Sequence, residues 1–250
     1  MNNSLFQYCL RLGDTSLILG QRLGDWCGHG PILEEDIAMT NIALDMIGQA
    51  RAFLTYAAEV EGKGKTEDDL AYLRSEREYF NVLIAEQPNG DFAMTMMRQF
   101  LLSTFQYYYY AELKASKDST LAALAEKSWK EVAYHLRHSS EWIKRLGSGT
   151  EESKQRTVNA LEACWLYTGD MFDADAVDLE MVKAGIGADL QKIKPLWESK
   201  VKEIFSEAGL EISQNVFMIT GSRSGRHTEH LGHLLSEMQV LQRSFPGATW

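Results

Sequence analysis

The stretch that most limits how this chain can fold runs from Lys130 to Trp142, Lys-Glu-Val-Ala-Tyr-His-Leu-Arg-His-Ser-Ser-Glu-Trp. Leu121, Leu124, Ala125, Ser128, Val132, His135, Ser139, Ile143 and Leu146 recur around it at helical spacing, which predicts a helix over about 119–146 with a histidine on its buried stripe. In helical bundles that hold two metal ions, such a histidine belongs to a Glu-x-x-His pair, because residues three apart stack on one face and share a metal with acids from facing helices. Here the residue three before His135 is Val132. Glu131 stands one position out of register, about 100° around the helix axis. A scan of the chain finds no Glu-x-x-His or Asp-x-x-His anywhere.

The rest of the chain reads as further helices. Apolar spacing predicts one over about 5–23, closed by Gly24-Asp-Trp-Cys-Gly-His-Gly-Pro31, and a central one over about 33–61 that is apolar nearly all round. A more charged segment, Thr66 to Glu86, reads as an outer helix ending at the turn Gln87-Pro-Asn-Gly90. A second central helix covers about 91–115 and includes Tyr107 to Tyr110, of which only one or two can line any one cavity. Another follows over about 151–172, and the acids Asp170, Asp173, Asp175 and Asp178 read as a surface turn rather than a calcium loop. An amphipathic helix over about 188–208 carries Pro195 near its first turn or at a kink. Gly221-Ser-Arg-Ser-Gly-Arg226 reads as a flexible basic loop, followed by a helix over about 228–243 with Leu231, Leu234, Leu235, Met238 and Leu241 on its apolar face.

These elements define an all-α chain of one domain, residues 1–250, with the loop and helix of 221–250 packed on a bundle. The 250 residues, 45% hydrophobic and 24% charged, suffice for one large core. Four prolines leave the long periodic segments with few interruptions. A net charge of −10 argues against a nucleic-acid surface and fits a protein partner with a basic face. Cys9, Cys27 and Cys164 lack metal or disulfide spacing, and the N-terminus carries no basic region ahead of an apolar run, so a reducing cytoplasm with no export and no membrane span is expected.

Three constellations carry candidate chemistry. Gln21, Asp45, Met46, Gln49, Ser103, Gln106, Glu131, Val132 and His135 occupy the positions of a di-metal pocket, but amides are weak ligands and Met46 and Val132 stand where acids are needed. The preferred reading is a degenerate pocket without metal, in which Asp45, Gln49, Glu131 and His135 satisfy one another as a hydrogen-bonded core. His227, His230 and His233, spaced by three, are a weaker metal candidate set against a polar helix start helped by Thr228 or Glu229. Arg223 and Arg226, between glycines and ahead of a helix N-terminus at His227, form an anion or partner contact or else a plain connector. No catalytic Ser-His-Asp or Cys-His arrangement is readable.

Several long strings carry a family resemblance. Leu10-Arg-Leu-Gly-Asp14, Gln21-Arg-Leu-Gly-Asp-Trp-Cys-Gly-His29, Asn41-Ile-Ala-Leu-Asp-Met-Ile-Gly-Gln-Ala-Arg51, Glu86-Gln-Pro-Asn-Gly90, Tyr134-His-Leu-Arg137, Phe172-Asp-Ala-Asp175, His227-Thr-Glu-His-Leu-Gly232 and Leu235-Ser-Glu-Met-Gln239 resemble the C-subunit family (PaaC) of the bacterial phenylacetyl-CoA epoxidases across essentially the full chain. That resemblance implies a ferritin-like helical bundle with flanking helices. It implies a structural, non-catalytic subunit paired with a related A subunit, which carries the di-iron centre and oxidises phenylacetyl-CoA with O₂ and reductase-derived electrons. No cofactor is expected in this chain, and the B subunit and the reductase are expected in the same complex. Two other classes stay open: an independent metal-binding, oxygen-handling protein, and a stand-alone bundle that binds an acyl-CoA.

Overall fold

A computed structural model describes residues 2–213 and 216–248. The described residues contain helices and 3-10 turns but no strand, which makes the chain all-α. The contacts cluster into two compact units, one of Met1–His29, Leu33–Pro88 and Gly221–Trp250, the other of Gly30–Ile32 and Asn89–Thr220.

In the first unit, α1 (Asn2–Gly24) and α2 (Leu33–Glu61) form an antiparallel pair. A Cβ at Gly13 would fall 2.7 Å from Leu54, and one at Gly20 would fall 2.9 Å from Ile47, so the register descends along α2 as it rises along α1. Small residues at both positions let the helices approach closely. Leu12, Ile18, Leu19, Leu23, Met39, Ile42, Met46, Phe53 and Ala57 fill the interface. Each loses its apolar surface to the core, about 25 cal/mol per Å².

The segment after α2 departs from the expected outer helix over 66–86. Thr66 and Asp69 form a capping box that starts α3 (Glu67–Tyr72), which then stops after six residues. Beyond it come 3-10 turns at Glu76–Glu78 and Leu83–Glu86 joined by extended backbone. The cause is long-range. Asp14 accepts the Phe80 N–H at 2.9 Å and Thr15 Oγ1 accepts the Val82 N–H at 3.3 Å, so α1 side chains take backbone donors that a helix would use internally. The strap is also inside rather than outside, because Tyr79 and Asn81 through Gln87 are all buried.

The C-terminal segment completes this unit with α9 (Glu229–Met238) and α10 (Val240–Ser244) in place of one helix over 228–243. Leu231, Leu234 and Leu235 are buried as expected, whereas Leu241 is exposed. Gln239 ends α9 on the strap, its amide donating to the carbonyls of Ala71 at 3.2 Å and Arg74 at 3.0 Å.

In the second unit, α4 (Phe92–Leu113) and α5 (Ser119–Gly147) are likewise antiparallel, as the ring contacts Phe92–Trp142 and Tyr107–Trp129 show. Asp91 and Asp118 cap their N-termini with side-chain hydrogen bonds of 3.0 and 2.9 Å. The next expected helix, 151–172, resolves into α6 (Glu151–Trp165) and a separate 3-10 turn at Thr168–Phe172. The acidic run is not a plain surface turn. Asp175 and Asp178 form the capping box of α7 (Ala176–Ala184), and Asp170 and Asp178 are buried. Helix α8 (Leu190–Ala208) runs through Pro195 in its second turn, which removes the N–H that would bond to the Gln191 carbonyl. Trp197 fixes α8 to α4 by donating its indole N–H to the Leu101 carbonyl at 2.9 Å and by stacking on Trp165.

Candidate functional site

The positions of the di-metal pattern are divided between the two units. In the first, Met46 is fully buried, and its Cβ would lie 3.2 Å from a Cβ at Gly20, so the side chain serves the α1–α2 interface. Gln49 is buried one turn further on, while Asp45 and Gln21 are half-buried. In the second unit, Ser103 and Gln106 of α4 and Val132 and His135 of α5 are all buried. Ser103 Oγ accepts a 2.7 Å hydrogen bond from the Gln99 amide, and the Ser139 hydroxyl closes on the His135 carbonyl at 2.8 Å.

Glu131 does not belong to this buried set. Its side chain keeps 21% exposure and lies 3.8 Å from Lys127, four residues back on the outer face of α5. Within α5, the buried pair three residues apart is Val132 and His135, and valine brings no donor atom. In α2, Met46 offers only a soft thioether. The donor set does not fit a di-iron centre, which requires several carboxylates together with its histidines.

The histidine series after the glycine loop is also redistributed. His227 is turned inward with no side-chain exposure, His230 is half-buried, and His233 is exposed on a cleft shared with Glu76, Glu229 and Arg243. They are not part of any group of three or more metal-competent His, Cys, Asp or Glu side chains among the described residues. Nor is His227 a surface contact. Its Nδ1 lies 2.8 Å from Glu86 Oε2 and its Nε2 lies 2.8 Å from the Tyr79 carbonyl. Burial alone would lower the imidazole pKa, and the hydrogen bond and charge of Glu86 outweigh burial and raise it.

Glu86 is the hub of this arrangement. Besides His227 it accepts from Asn81 Nδ2 at 2.8 Å, from the Thr228 N–H at 2.6 Å and from the Thr228 hydroxyl at 2.8 Å. Arg22 of α1 donates to the Glu86 backbone carbonyl at 2.8 and 3.1 Å. Sequence reading placed Glu86 only at the end of an outer helix and missed its role. The available signal was an acid embedded among apolar residues, Val82-Leu-Ile-Ala-Glu86, which must find donors if the strap is buried.

The glycine loop has a regular local conformation. Ser222–Ser224 form a 3-10 turn capped by Gly221 and Gly225, with the Ser224 and Arg226 N–H groups both donating to the Gly221 carbonyl. Gly225 has φ +67°, and a Cβ there would collide with the Arg77 carbonyl oxygen. Arg226 is exposed and donates to Ser224 Oγ at 3.1 Å, while Arg223 is half-buried.

Comparison with known proteins agrees with the family resemblance of the sequence. The family described as "Phenylacetic acid catabolic protein" matches residues 1–250. The chain is similar to the C subunit of the 1,2-phenylacetyl-CoA epoxidase of Escherichia coli (strain K12), with 47% identity over 248 residues that cover 99% of this chain and 100% of that protein. No helix among the described residues is long and apolar enough to cross a membrane. On a match that runs from end to end, the chain belongs to the phenylacetic acid catabolic protein family.

Proposed function

We propose that this chain is the structural, non-catalytic C subunit of a cytoplasmic phenylacetyl-CoA epoxidase, a multicomponent monooxygenase of phenylacetate degradation, and that it pairs with and stabilises a di-iron A subunit. The B subunit, the reductase and phenylacetyl-CoA meet it in the assembled complex. One observation carries the reading: a chain 47% identical over its length to a protein named as an epoxidase subunit has valine and methionine where a di-iron site needs acids. The two antiparallel helix pairs, α1–α2 and α4–α5, are the complement of long helices that a ferritin-like bundle requires. Helices kept without their ligands still present a surface, which is the part of a catalytic relative that a stabilising subunit needs.

Co-expression with the A subunit, followed by size exclusion and iron analysis of each separated chain, tests this. The two chains are expected to co-elute, with iron and turnover depending on the A subunit. About two irons per isolated chain, or epoxidation by this chain alone, would overturn the proposal.

A further inference from the structure

The His227 imidazole faces an acceptor at each ring nitrogen, a carboxylate oxygen at Nδ1 and a backbone carbonyl at Nε2, both at 2.8 Å. A neutral imidazole carries one N–H, so it can bond to only one of them and must point a lone pair at the other. Water cannot relieve that repulsion, because the His227 and Glu86 side chains are both without exposure. Glu86 in turn takes donors on both carboxylate oxygens, Thr228 on Oε1 and Asn81 on Oε2.

We propose that His227 is held as an imidazolium between Glu86 and the Tyr79 carbonyl, and that its proton latches the C-terminal segment 221–248 to the strap 75–87. The charged groups around it are consistent. Glu86 faces it from the Leu83–Glu86 turn, and Asp14 of α1 adds a second negative charge behind Tyr79, partly met by Arg74. Arg22 of α1 opposes it from the far side of the Glu86 backbone carbonyl. Tyr79 contributes its carbonyl, while its phenol donates to the Ala71 carbonyl and stays neutral, its pKa raised by burial.

The folded-state pKa lies above the ordinary value of 6.5, so the latch contributes fully below about 6.5 and is lost as pH rises through the folded value. The contacts join residues 141 and 148 positions apart, so losing the proton loosens the C-terminal segment from the strap. The device is a pH-sensitive clasp, independent of the epoxidase reading.

The test is nitrogen-15 NMR of the histidine-labelled full chain, together with thermal unfolding across about pH 6 to pH 9. One of the six histidines is expected to stay protonated at both ring nitrogens at about pH 7.5, and that signal should be missing in His227→Gln. The stability advantage of wild type over His227→Gln should shrink as pH rises. If His227→Gln does not fold, Glu86→Gln serves, and the protonated signal should revert to neutral near pH 7 in that variant. A spectrum in which all six histidines are neutral at about pH 7.5, or a stability difference independent of pH, overturns the proposal.

Discussion

Asp14 and Arg74 lie 60 residues apart and form a buried two-pronged ion pair, with the guanidinium Nη1 3.0 Å from Asp14 Oδ2 and Nη2 on Oδ1. Asp14 has no exposed side-chain surface and Arg74 only 8%. The same guanidinium donates to the carbonyls of Leu70 and Glu78, and the same carboxylate takes the Phe80 N–H. One pair therefore ends α3 and seats the strap that follows it. Removing one member strands the other charge in the interior, so Asp14→Ala or Arg74→Ala should cost about 3–5 kcal/mol. Urea unfolding of the purified chain measures this, and a loss below about 1 kcal/mol would show that the pair does not organise the strap.

Gly225 sits in a left-handed conformation against the Arg77 carbonyl. Gly225→Ala should cost about 1–2 kcal/mol from the backbone conformation alone, and more from the close contact. Because the loss falls on the joint between the glycine loop and the strap, limited proteolysis should cut within 221–248 sooner in the variant. Gly24→Ala, where a Cβ meets nothing within 4 Å, is the control and should leave the digestion pattern unchanged.

His135 is fully buried on α5, three residues after the equally buried Val132. Under the proposed non-catalytic role, His135→Leu should lower stability by about 1–3 kcal/mol by stranding whatever polar group it satisfies. Turnover per assembled epoxidase should stay near wild type. A loss of several orders of magnitude with assembly intact would make His135 catalytic.

The exposed Arg226 and half-buried Arg223 form a basic spot on a chain of net charge −10. If this spot meets acids of the A subunit or the phosphates of the CoA moiety, Arg223→Ala with Arg226→Ala should weaken assembly or raise the apparent KM by up to about fivefold at low salt, with the effect fading as ionic strength rises. Assembly and kinetics equal to wild type at both salt levels would reduce the loop to a connector.

The long helices α2, α4 and α5 were legible because each repeats one local rule many times. Apolar residues three and four apart, an Asp at the N-terminal cap of α4 and α5 and a Gly at the end of α5 all lie within a turn or two of the residues they govern. That Met46 and Val132 face inward at helical spacing was legible for the same reason, since spacing along a helix is a local property. The strap was not. Residues 66–86 carry enough charge to resemble a solvated helix, and their fate was set by Asp14, Thr15 and His227, which lie from 60 to 148 residues away. His227 was misjudged likewise, since exposure depends on which neighbours cover a position and not on its place in a periodic pattern. Periodicity encodes the face a helix turns inward; which buried acid meets which buried base is decided only when distant segments close on each other and exclude water.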